Sequence, residues 1–257
     1  MRFKDKVVVI TGASRGIGQA VCVAFAKDGA TVVGVARSDL SDTGNKVKAA
    51  GGTFLANNAD LGTGTQKELS EVIAQILAKT GKIDALVNNA GIIRRAPAKD
   101  FSEADWNAVI ATNLNSPFFL MQAVGKWWIE AGRAQAKASA RLKIVNIASL
   151  LSFQGGITVP AYAASKHGIA GVTKALANEW AKERINVNAI APGYIATENT
   201  KALREDPVRN KAILDRIPEG RWGEASDIAG GCAFLASAES DYLNGAVLNI
   251  DGGWMGR

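Results

Sequence analysis

Histidine and cysteine are scarce in this sequence, with one His and two Cys among 257 residues. His167 has no companion ligands, which argues against a metal centre. Cys22 and Cys232 each fall inside apolar helical patterns, without disulfide or metal spacing, and read as reduced core residues. No apolar run reaches the length of a membrane span. Met1–Lys6 leads straight into a strand pattern, without the apolar region of a signal peptide. A soluble cytoplasmic protein is expected. Basic blocks and nucleic-acid motifs are also missing, although the formal charge is +6 and the pI near 9.3. That excess reads either as a generally basic surface or as a site for anionic ligands. There is no internal repeat and no break in composition. Hydrophobic residues make up 47% and charged ones 21%, so residues 1–257 are expected to form a single domain with one large core.

What is present is an alternation of strand and helix patterns. Strands are expected at Val7–Ile10, Thr31–Val35, Thr53–Ala56, Ala85–Val87, Ile144–Ile147, Asn186–Ala191 and Ala246–Ile250. Helices are expected at Gln19–Asp28 and Ser41–Ala50, and over a stripe of Leu69, Val72, Ile73, Ile76 and Leu77 behind the capping box Thr65-x-x-Glu68. A long helix opens at Ser102 and runs to Trp128, where Trp127 and Trp128 read as packing residues. Another carries Tyr162 to about Lys182, and Ile228, Cys232 and Leu235 mark the last. Residues 131–142 read as a helix end and surface loop without a function. Residues 197–222 form a polar, helix-prone excursion suited to a lid. The order implies an α/β fold: a doubly wound, Rossmann-type parallel sheet of seven strands with helices on both faces.

Thr11-Gly12-Ala13-Ser14-Arg15-Gly16-Ile17-Gly18 follows the first strand directly. A strand, a glycine-rich turn and a helix make the opening of a dinucleotide fold, where backbone approaches a pyrophosphate at a positive helix N-terminus. The spacing is G-x-x-x-G-x-G, and a glycine turn can also simply join two elements. After the second strand this fold usually carries an acid for the ribose 2′-hydroxyl of NAD. Here stand Ala36, Arg37 and Ser38. Without an acid to repel a 2′-phosphate, Arg37 and Arg15 can both hold it, which favours NADP(H) over NAD(H). Asp39, just beyond, is the opposing feature.

Ser149–Lys166 holds a hydroxyl, a phenol and an amine. Tyr162 and Lys166 stand at i and i+4 of a helix pattern, so the ammonium can approach the phenol and is expected to lower its pKa. Such a phenol can give a proton to a carbonyl oxygen and retrieve it from an alcohol. Ser149 ends the apolar run Ile144–Ala148, where its hydroxyl can donate to the same oxygen. Arg94 and Arg95 follow Asn88-Asn89-Ala90-Gly91 in the loop leaving the fourth strand. An arginine fork there suits a carboxylate, although both could equally be solvated loop charges.

Taken together, TGASRGIG at 11–18, Asp60, NNAG at 88–91, Asn113, Ser149, Tyr162 with Lys166, and Pro192-Gly193 with Thr197 resemble the short-chain dehydrogenase/reductase family over essentially the whole chain. The resemblance implies that Tyr162 is the acid/base, Lys166 its pKa-lowering and ribose-binding partner, Ser149 the carbonyl polariser, and Asn113 the holder of a proton-relaying water. It implies a cofactor bound by Gly12, Ser14, Arg15, Gly16, Ile17, Gly18, Arg37, Ser38, Asp60, Leu61, Asn89, Ala90, Gly91, Pro192, Gly193, Ile195 and Thr197, together with Tyr162 and Lys166. Asp60 is expected on the adenine. A homotetramer is implied as well. NNAGIIRR, SLLSFQGG, NVNAIAPGYIATENT, ILDRIPEGRWG and DGGW are similar to bacterial members that act on 2-keto-3-deoxy sugar acids in pectin and alginate breakdown. Ala36-Arg37 fits the NADPH-using alginate-type reductases better than the NAD-using pectin type. The expected substrate is thus a small anionic keto sugar acid, held by Arg94 or Arg95, Gln154, Ser149 and Tyr162. Other readings stay open: another short-chain reductase, such as a sugar-acid or gluconate 5-dehydrogenase or a reductase of 3-oxoacyl carrier protein, and a nucleotide-binding regulator with a dead site.

Overall fold

Each β-branched run becomes a parallel strand. In the computed structural model, which describes residues 1–257, these are β1 (Val7–Thr11), β2 (Thr31–Ala36), β3 (Thr53–Asn58), β4 (Ala85–Asn88), β5 (Leu142–Ile147), β6 (Ile185–Pro192) and β7 (Val247–Ile250). They pair in the order β3-β2-β1-β4-β5-β6-β7. Several strands outrun their apolar residues because ladder pairing continues past them. Asn57 and Asn58 of β3, for example, still pair with Val35 and Ala36.

Period-two alternation divides the core into two layers. Val7, Val9, Val33 and Val35 face one side with Leu69, Val72, Ile73 and Ile76 of α3 (Gln66–Thr80), Leu120, Met121 and Val124 of α5 (Ser116–Trp127), and Ile169 and Leu176 of α7 (Pro160–Trp180). Val8, Ile10 and Val32 face the other, against Val21, Cys22 and Phe25 of α1 (Gly16–Lys27) and Ile228, Cys232 and Leu235 of α10 (Ala225–Ala236). Fully burying each such aliphatic or aromatic side chain contributes about 1.5–3 kcal/mol. Both cysteines lie in this second layer, and burial pushes each thiol up to about 12. The remaining helices are α2 (Ser41–Ala49), α4 (Glu103–Ile110), the single turn α6 (Arg133–Gln135), α8 (Lys201–Glu205) and α9 (Pro207–Leu214). α3 carries the expected capping box, with Glu68 N–H donating to Thr65 and the Glu68 carboxylate accepting from Thr65 N–H.

The helix expected without a break from Ser102 to Trp128 is interrupted. Ala111–Asn115 and Trp128–Gly132 form π turns on either side of α5. The first has a covalent cause. Pro117 has no N–H for the Asn113 carbonyl and its ring would crowd that oxygen in an unbroken α-helix, which the wider turn relieves. Past the second, α6 and the following loop are held by Arg184, whose guanidinium donates to Arg133 O at 3.1 Å.

Strand order reverses between β1 and β4, so their carboxyl ends open a crevice. No helix is long and apolar enough to cross a membrane.

Candidate active site

The crevice is built from two loops clamped together. Thr11, the last residue of β1, accepts from the backbone N–H groups of both Asn89 and Ala90 at 3.0 Å. The Asn89 amide donates in return to Thr11 O at 3.0 Å and Gly12 O at 3.2 Å. Gly12 has φ +64°, and a Cβ there would lie 2.9 Å from Ala90 Cα. A side chain is thus excluded twice, by conformation and by contact. In the sequence Thr11 is only the first residue of the glycine-rich turn, with no role of its own. Its signal is a hydroxyl at the end of a strand whose neighbour ends in Asn-Asn.

Above this floor, Arg15 occupies the N-cap of α1, whose first turn has no acidic side chain. Unpaired N–H groups there favour an anion. Gly16 faces Thr197, whose methyl carbon would be 3.6 Å from a Cβ on it. Arg15 is exposed there, as are Arg37 and Ser38 at the end of β2. Arg37 leans toward Asp60 at 3.8 Å. Asp39 is turned away into α2, accepting from the Ser41 N–H at 3.1 Å and its hydroxyl at 2.7 Å. Those two bonds lower its pKa. Beside them lies a cavity of about 270 Å³ lined by Asp60, Thr63, Leu69 and Val72. The structure therefore brings Gly12–Gly18, Arg37, Ser38, Asp60 and Asn89–Gly91 to one crevice, with Leu61 buried behind Asp60. Pro192 ends β6, and its loop carries Gly193, Ile195 and Thr197.

Asn113 sits in the first π turn, 2% exposed. Its amide accepts from Ile92 N–H and donates to Ile92 O, both at 2.9 Å, and donates to Ser165 Oγ at 3.2 Å. Ser165 in turn donates to Tyr162 O at 2.8 Å. One side chain thus ties the loop after β4 to the helix that carries the phenol.

Ser149 follows β5 in extended backbone and caps a short 3₁₀ turn, accepting from Leu151 N–H at 3.2 Å. With that lone pair engaged, its proton is free to donate. Ser152 donates to Lys166 O at 2.6 Å, which fastens this loop to α7.

The expected effect of Lys166 on Tyr162 is not what the structure shows. Lys166 Nζ donates to Ile147 O at 2.6 Å and stands 5.5 Å from the centre of the Tyr162 ring. It is aimed at a main-chain carbonyl rather than at the phenolic oxygen. Burial lowers the amine itself to about 8. The Tyr162 pKa is raised, because loss of water outweighs the opposite pull of the Ser149 hydroxyl and the Arg95 guanidinium.

The two loop arginines part company. Arg94 pairs with Asp105 of α4 at 3.2 Å. Arg95 makes no ion pair, and its charge acts on Tyr162. Gln154 lies on the loop between Ser149 and α7, where Oε1 accepts from the Trp254 indole N–H at 3.2 Å. The 197–222 excursion holds a 3₁₀ turn, α8 and α9, the last capped by Asp206. No group of three or more His, Cys, Asp or Glu side chains is arranged to hold a metal ion.

A hydrogen-bond donor, a phenol, a buried amine and a free guanidinium thus share one end of the sheet, beside a crevice suited to an anionic dinucleotide. Such a set can polarise a carbonyl, protonate it and hold a neighbouring negative charge. The family described as short chain dehydrogenase matches residues 6–208. The 2-dehydro-3-deoxy-D-gluconate 5-dehydrogenase of Dickeya dadantii is 49% identical over 255 residues, covering 99% of this chain and 97% of its own. An Agrobacterium tumefaciens protein crystallised with bound NADP is 49% identical, with a TM-score of 0.89 over 99% of this chain and 98% of its own. A gluconate 5-dehydrogenase from Burkholderia cenocepacia J2315, in complex with NADP and tartrate, is 34% identical, with a TM-score of 0.90 over 100% and 97%. The chain therefore belongs to the short-chain dehydrogenase family.

Proposed function

We propose that the protein is an NADPH-dependent reductase of a keto-deoxy sugar acid derived from unsaturated uronates, giving 2-keto-3-deoxygluconate. The observation that carries the substrate reading is Arg95: a loop cation without an ion pair whose charge reaches Tyr162. A carboxylate a few ångströms from the reacting carbonyl would complete that pair. Dinucleotide binding is supported by the glycine floor, into which a side chain on Gly12 would not fit. NADP in the two structural relatives, and exposed Arg15 and Arg37 at a crevice where Asp39 is engaged by Ser41, support the phosphorylated form.

Bound NADPH supplies the hydride. Ser149 donates a hydrogen bond to the carbonyl oxygen and Tyr162 gives it the proton. Lys166 is the buried cation that favours the phenolate left when Tyr162 gives up its proton, and the phenol is restored by reprotonation before the next turnover. Asn113 holds the loop after β4 against α7 and is the candidate for positioning a relay water. Residues 197–222 act as the lid. Assembly as a homotetramer in the cytoplasm, in pectin or alginate breakdown, belongs to the same reading.

Initial rates of NADPH oxidation with 4-deoxy-5-hexoseulose uronate, gluconate-type 5-keto acids and a 3-oxoacyl thioester test it. The uronate is expected to give the highest kcat/KM. Preference for the thioester would replace this reading with a carrier-protein reductase, and no turnover with any carbonyl would favour a regulator.

A further inference from the structure

The chain ends in a short 3₁₀ turn, Trp254–Gly256, that folds back over the loop after β5. Trp254 is 6% exposed and forms a small third core with Leu150, Ile213 and Ile217, away from both faces of the sheet. The Tyr194 ring lies 4.6 Å from it, and the Arg216 guanidinium covers its face at 4.1 Å. The indole is therefore held on several sides, between the lid and the loop that leaves Ser149. Its N–H has one partner, Gln154 Oε1 at 3.2 Å.

That bond carries chemical information. An indole N–H can only donate, so it dictates which end of the Gln154 amide it meets. The oxygen is committed to Trp254, and Nε2 with its two protons is turned away and makes no hydrogen bond within the protein. The backbone beneath is fixed too, since Gln154 N–H donates to Leu150 O at 3.1 Å. Gln154 stands on the loop that starts at Ser149 and ends at the helix of Tyr162. We infer that Trp254 is a positioning residue that makes Gln154 a donor-only contact to the substrate, so that the pocket accepts an acceptor oxygen, carboxylate or carbonyl, at that point. This rests on the sugar-acid reading above and deepens it. The same indole packs on Ile213 of α9 and on Ile217, so lid position and amide orientation share one side chain.

The test is a double-mutant cycle in the full-length enzyme with NADPH and the keto-uronate. Trp254→Phe keeps the ring and removes only the N–H, freeing the amide to flip. One neutral hydrogen bond corresponds to about a fivefold change in an equilibrium, so the substrate KM should rise about fivefold while kcat and the NADPH KM hold within about twofold. In a Gln154→Ala background the same change should do nothing further. Gln154→Glu still accepts from the indole but presents oxygen to the pocket. It should raise the keto-acid KM more than tenfold, with a smaller effect on an uncharged ketone. An unchanged KM in Trp254→Phe overturns the inference. So does an equal loss in both backgrounds, because that is loosening of the lid. Were Gln154→Ala harmless while the wild type reduces the keto-uronate, this inference would fall and the proposed function stand. If the wild type reduces no keto acid, both fall.

Discussion

Arg94 and Arg95 are adjacent in sequence, yet the structure gives them different surroundings and so different expected costs of removal. Arg94 is bound to Asp105 at 3.2 Å with both side chains about half exposed. Such a pair contributes about 0–1 kcal/mol, so Arg94→Gln should change kcat/KM by less than about fivefold, whatever the substrate's charge. Arg95 has no such partner, and a charge-assisted bond from it to a carboxylate contributes about 1.5–3 kcal/mol. Arg95→Gln should therefore lower kcat/KM for the keto-uronate by about 10–150-fold, mostly through KM, at 1.36 kcal/mol per tenfold. A neutral ketone should lose far less. The same substitution has a second signature. Arg95 lowers the Tyr162 pKa, so its removal should move the limb of the pH–rate profile that reports this phenol to higher pH. The assay is kcat/KM for both variants on a charged and an uncharged carbonyl compound between pH 6 and 10. Equal losses on the two substrates, or a larger loss from Arg94→Gln, would refute the reasoning.

Tyr162→Phe keeps the ring and removes the proton donor. Turnover should fall by about 10²–10⁴ while NADPH affinity, read by fluorescence titration, stays close to wild type; near-normal turnover would rule out the mechanism. Ala36→Asp with Arg37→Ala places an acid where none now stands and removes one arginine, so NADPH use should drop about 10–100-fold with the preference moving toward NADH. A wild type that already prefers NADH at equal concentration would contradict this. Lys166 is lowered from 10.5 to about 8 by burial. Between those values the unfolded chain binds more protons than the native protein, so this group makes the cofactor-free protein more stable as pH rises from about 8 to about 10.5. The Tm advantage of Lys166→Met over wild type should accordingly be largest below pH 8 and shrink across that window. An advantage that grows with pH would reverse the assignment.

Periodicity and local chemistry determined much of this protein directly. Val7–Ile10 can only be buried, because β-branched residues on both faces of a strand require cover on both. The capping box at Thr65 and Glu68 and the glycine-rich turn are likewise contacts between near neighbours, legible from spacing alone. The missing acid after β2 is a property of composition. Other features depend on residues brought together from distant parts of the chain. Nothing local distinguishes Arg94 from Arg95; Asp105 on α4 does. Asn113 reads as an ordinary helical residue until the fold sets Ile92 against it, and the π turn that holds it answers to Pro117. The i, i+4 spacing of Tyr162 and Lys166 correctly placed the amine beside the ring. Its aim toward Ile147 O and the sign of the phenol's shift followed from burial, which no spacing encodes. Trp254 and Gln154 lie at opposite ends of the second half of the chain, and only the packing of the C-terminal turn on the lid makes one orient the other.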